Sequence, residues 1–68
     1  MTNGEVIEVV KTIRSLANNK DSEGAHMWEK GLFQDLLQSI ADGTCEDPKK
    51  CSETAMQAVK IEFDRWFA

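Results

Sequence analysis

Apolar and polar positions recur along this chain with the period of a helix, in three stretches. The clearest runs from Ser22 to Gly43. At about 100° per residue, Trp28, Leu32, Ala25, Leu36, Ile40, Phe33 and Leu37 gather on one side. Lys30, Gln34, Gln38, Asp42 and Asp35 gather on the other. A stripe that wide predicts a core-facing helix. Asp21 or Ser22 can cap its first turn, Glu23 suits the positive end of the helix dipole, and Gly43 can supply a left-handed stop.

The first stretch places Val6, Val9, Val10, Ile13, Leu16 and Ala17 on one face, away from Glu8, Lys11, Arg14 and Ser15. Thr2 and Glu5 have the spacing of a capping box. The β-branched residues keep a strand from Val6 to Ile13 open, but no second strand is evident to pair with it, so a helix is preferred. Ile7 falls on the polar side, as rim or contact surface. Asn18 to Asp21 is a short polar turn, which favours antiparallel packing of the first two helices. Asp47-Pro48 is a helix start, Asp as cap and Pro in the first turn. Beyond it, Cys51, Ala55, Ala58, Val59, Phe63, Trp66 and Phe67 share a face, opposed by Lys50, Glu53, Gln57, Lys60 and Asp64. Residues 59–63 could also be extended, which would put a bend near Lys60.

The pattern therefore predicts an all-α, compact three-helix domain over residues 1–68, with helices at about 4–18, 22–42 and 48–66. Its expected core is Val9, Ile13, Leu16, Trp28, Leu32, Phe33, Leu36, Ile40, Ala55, Val59, Phe63 and Trp66. The aromatic C-terminal segment is expected to dock on the long central helix.

Composition narrows the function classes. A chain of 68 residues has a thin core, so a protein partner or a homodimer is the expectation. The net charge of −4 opposes phosphate backbones, and only Lys11 with Arg14 and Lys49 with Lys50 form basic clusters. Nucleic acid is therefore disfavoured. No apolar run has the length of a membrane span, and the chain opens without a secretory pattern, so no membrane and a cytoplasmic location are expected. The single His26 lies beside an apolar stripe, and glycines 4, 24, 31 and 43 are too scattered for a phosphate loop. The expectation is a non-enzymatic protein with no catalytic residues, no cofactor and no metal. Cys45 and Cys51, with five residues between them, are read first as free thiols. A disulfide is the next reading. A zinc site with His26 would be short of ligands at that spacing.

Glu29 lies near the middle of the apolar stripe, with His26 three residues before it on the same side. A carboxylate there needs a partner or a raised pKa. A structural ion pair or hydrogen bond, an acid–base pair, and a side chain reaching out to water are the three readings. Ala25-His26, Glu29, Ile40-Ala41-Asp42-Gly43 and Phe63-x-Arg65-Trp66-Phe67-Ala68 resemble a small bacterial and phage domain. Its pattern is A-H-x-x-E-D-x-L, then I-A-x-G, then I-D-F-x-R-W-[YF]-A. The resemblance covers residues 21–68, leaves out the first helix and carries no activity. Lys30 stands where the pattern has Asp, and Glu62 where Asp is usual. The first departure casts doubt on any role needing two adjacent carboxylates.

What the resemblance implies is that His26, Glu29, Arg65 and Trp66 form one set. Their chemistry reads as a clasp: the Arg65 fork matches the Glu29 carboxylate, Trp66 covers the pair and His26 adds a hydrogen bond. Met27, Gly31, Gln34 and Gln38, on the far side of the long helix, are the candidate protein interface. The expected function is protein–protein interaction, in the manner of a phage or plasmid accessory protein acting on a host protein. A small nucleic-acid-linked regulator of helix-turn-helix type is the alternative.

Overall fold

A computed structural model of the chain describes residues 1–65. Helix α1 spans Asn3–Asn18, α2 spans Ser22–Ala41 and α3 spans Pro48–Met56; a short 3-10 turn follows at Gln57–Lys60. Each helix begins where a side chain takes up orphan backbone donors. Thr2 accepts from the Glu5 amide while the Glu5 carboxylate accepts from the Thr2 amide, so both bonds of the capping box form. Asp21, not Ser22, caps α2 by accepting from the Gly24 amide, and Asp47 caps α3 by accepting from the Lys50 amide.

The first two helices stop in the same way. Asp21 N–H donates to Leu16 O and Lys20 N–H to Ala17 O, with Lys20 at φ 60°. Thr44 N–H donates to Ser39 O and Gly43 N–H to Ile40 O, with Gly43 at φ 74°. Both are Schellman closures, which need one left-handed residue. Glycine fills that position at the end of α2, as its sequence implied; at the end of α1 a lysine does.

The core is built from Val6, Val10 and Ile13 of α1, Ala25, Leu32 and Leu36 of α2, and Cys51, Ala55 and Ala58. Val9, Leu16, Phe33, Cys45, Ile61 and Phe63 pack around it, partly buried. Thr54 Oγ1 donates to the Asn3 side chain at 2.6 Å, tying α3 to the start of α1. Three expected core residues are outside it: Trp28 is 49 % exposed, Val59 47 % and Ile40 37 %. On α2 the reason is rotational. The buried line runs Ala25, Glu29, Leu32, Leu36, Ser39, which places Trp28 on one flank and Leu37 on the other. A hydroxyl is tolerated in that line because Ser39 Oγ donates to Leu36 O.

The third helix is shorter than the expected 48–66. It ends at Met56, tightens into the 3-10 turn, and Ile61 turns the chain extended at φ −76°, ψ 126°. The break near Lys60 that the sequence left open is thus present. It turns Val59 outward and brings residues 61–65 back toward α2. Trp66, expected in the core and in the clasp, lies outside the described residues. No helix among the described residues is long and apolar enough to cross a membrane.

Candidate functional site

The return of the chain delivers Arg65 to Glu29. Arg65 Nη2 donates to Glu29 Oε2 at 3.0 Å, and Nε contacts both carboxylate oxygens at 3.2 and 3.3 Å. The same Nη2 lies within hydrogen-bond distance of Ile61 O at 2.8 Å and of Ala58 O at 3.1 Å, the latter also accepting from the Ile61 amide that closes the 3-10 turn. Phe63 stacks beneath, with the guanidinium carbon 3.8 Å from its ring centroid. The Glu29 side chain retains 9 % exposure and that of Arg65 33 %. The structure therefore brings together Glu29, Arg65 and Phe63.

Among the described residues, His26 makes no hydrogen bond to Glu29 or Arg65, and its buried Nδ1 has no partner. Both Glu29 carboxylate oxygens accept from the guanidinium, a charge-assisted, two-pronged contact. Among the described residues, no three His, Cys, Asp or Glu side chains converge as metal ligands would.

Two open apolar grooves flank α2. The first, about 250 Å³, is lined by Val9, Trp28, Leu32, Met27, Gly31, Met1 and Asp35, between α1 and α2. The second, about 320 Å³, is lined by Phe33, Leu36, Leu37, Ser52, Ala55, Met56 and Val59, between α2 and α3. Of the expected interface residues, Met27 and Gly31 belong to the first groove. Gln34 and Gln38 lie outside both; they are exposed, and Gln38 Nε2 donates to Asp42 at 2.9 Å. Sequence reasoning missed Trp28 as a surface residue because the periodicity placed it in the core. The signal that could have found it was Glu29 itself: if the carboxylate faces the core, the residue before it is turned toward the flank.

No family model, curated protein or solved structure matches this chain.

Proposed function

We propose that the protein is a non-enzymatic protein–protein interaction module that binds through the groove between α1 and α2. The observation that carries this reading is the position of Trp28: a half-exposed indole in an apolar groove, beside a Met27 that is 65 % exposed. Tryptophan is the residue most enriched among those that dominate binding energy, and methionine adapts to irregular partner surfaces. Gly31 has no atom within 4 Å of the place its Cβ would occupy, so a partner can approach the α2 backbone there. Asp35 stands in the lining, and the chain carries a net charge of −4. The partner that fits is a protein with an apolar ridge flanked by basic side chains. An accessory protein of a phage or plasmid, covering a basic surface on a host protein, has these properties.

The test is affinity capture with the wild-type chain and with Trp28→Ala as parallel baits. Capture of one partner by the wild type, lost with Trp28→Ala, supports the reading. Equal capture by both removes the groove from the account. Salt-sensitive binding to duplex DNA, without a protein partner, replaces it with the nucleic-acid-linked alternative.

A further inference from the structure

We propose that Cys45 and Cys51 form an oxidisable dithiol, which a hydroperoxide converts to an intrachain disulfide across the α2–α3 connection. This proposal is independent of the binding groove. Cys51 sits at the end of the first turn of α3 with no exposed surface, inside the core. Cys45 is half-buried and packs on that same core from the loop before α3. The loop between them is held at both ends. Thr44 and Cys45 donate their amides to Ser39 O, and the Cys51 amide donates to Asp47 O. Glu46 N–H donates to Met1 O, which anchors the middle. The two side chains therefore pack on one core cluster from either end of a short anchored loop, with Cys45 as the neighbour that perturbs the Cys51 thiol. Burial first, then the neighbouring Cys45 thiol, pushes the Cys51 thiol above its ordinary value.

That asymmetry assigns the roles. Cys45 is the accessible thiol and meets the oxidant; its thiolate displaces hydroxide from the peroxide O–O bond and becomes a sulfenic acid. The Cys51 sulfur then attacks the Cys45 sulfur. An S–S bond forms, the S–O bond breaks, and the Cys51 proton leaves with the hydroxyl as water. In total, two thiols and one peroxide give one disulfide and two waters. Cys51 is slow as a first attacker because only the thiolate is nucleophilic. It is well placed as the second, since the sulfenic acid arrives beside it.

Trypsin cuts after Lys49 and Lys50, between the two cysteines, so the linkage can be read directly. The folded chain is treated with equimolar hydrogen peroxide, blocked with iodoacetamide, and analysed by intact mass and unreduced digest. The expected result is a mass decrease of two hydrogens and one peptide pair joined through Cys45 and Cys51, separable by dithiothreitol. Cys45→Ser is expected to leave Cys51 reduced under the same treatment. Cys51→Ala, if folded by circular dichroism, is expected to accumulate a dimedone-reactive sulfenic acid at Cys45. Linkage between two chains overturns the proposal. So does over-oxidation of Cys45 with Cys51 still reduced, or linkage that forms only in urea.

Discussion

Arg65 Nη2 meets Glu29 Oε2 at 3.0 Å across 36 positions of sequence. The pair locks the last described residue to the middle turns of α2. It also answers two local needs: a partner for a carboxylate in an apolar line, and a donor for the Ile61 carbonyl where the chain turns extended. Removing either partner leaves the other stranded in a partly dry site, which costs roughly 3–5 kcal/mol in fully buried pairs. With Arg65 one-third exposed, the lower end of that range applies. Glu29→Ala is expected to lower urea-melt stability by about 3 kcal/mol. Asp35→Ala, on the groove surface, should change it by less than about 0.5 kcal/mol. Equal losses would remove the clasp from the account of stability.

Lys20 carries a side chain where a Schellman closure needs a left-handed residue. An L-residue in that region costs about 1–2 kcal/mol relative to its right-handed form. Lys20→Gly is therefore expected to raise stability by up to about 1 kcal/mol, the gain being offset in part by glycine's greater freedom in the unfolded chain. Thermal denaturation measures this directly, and a fall in the midpoint would show that Lys20 makes a compensating contact.

Gly31 separates folding from binding. Its Cβ position is open and α2 continues on both sides, so Gly31→Ala is expected to stabilise the fold by about 0.5–1 kcal/mol through helix propensity. The same methyl enters the groove beside Trp28 and should weaken partner capture. Gly24→Ala is expected to act oppositely on the fold, because its Cβ would lie 2.5 Å from Asp21 Oδ2 and dislodge the α2 cap. A Gly31→Ala protein that is more stable and binds unchanged would place the partner elsewhere.

Stability should decline at both ends of the pH range. The Cys51 thiol is raised above 9.0 in the folded chain by burial and by Cys45. Above that pH the unfolded chain loses this proton first, so stability present at neutral pH falls as pH rises. Glu5 is lowered below 4.5, first by the Thr2 amide that donates to it and then by the Thr2 side chain. Its contribution is present above that pH and is lost as acid protonates the capping carboxylate. Melting curves from pH 8 to 11 should flatten for Cys51→Ala, and those from pH 5 to 3 for Glu5→Gln (the pH limits are set roughly by the ordinary thiol and carboxylate ranges).

The helices and their caps were legible because each signal is local. Thr2 with Glu5, Asp21, Gly43 and Asp47-Pro48 all act within one turn of where they stand. The rotation of α2 was not, because periodicity weighs side chains by hydrophobicity and Trp28 outweighs Glu29 and Ser39. The cation that meets Glu29 on the buried face comes from residue 65, 36 positions away. The length of α3 was illegible for a related reason. Its apolar positions continue past Met56 with helical spacing, yet Arg65 supplies a donor to the Ile61 carbonyl where the chain turns extended. The clasp's carboxylate was conspicuous as an oddity in the sequence, whereas a groove is a property of two helices together and has no signature in either.

While this chain is being made, Glu29 emerges from the ribosome long before the guanidinium that satisfies it. Until residue 65 has cleared the exit tunnel, that carboxylate stays hydrated and holds the middle of α2 away from dry packing. Closure of the three helices around Glu29 thereby waits for residue 65, so that translational pausing ahead of codon 65 prolongs the interval in which the unfinished chain is open to proteases and chaperones.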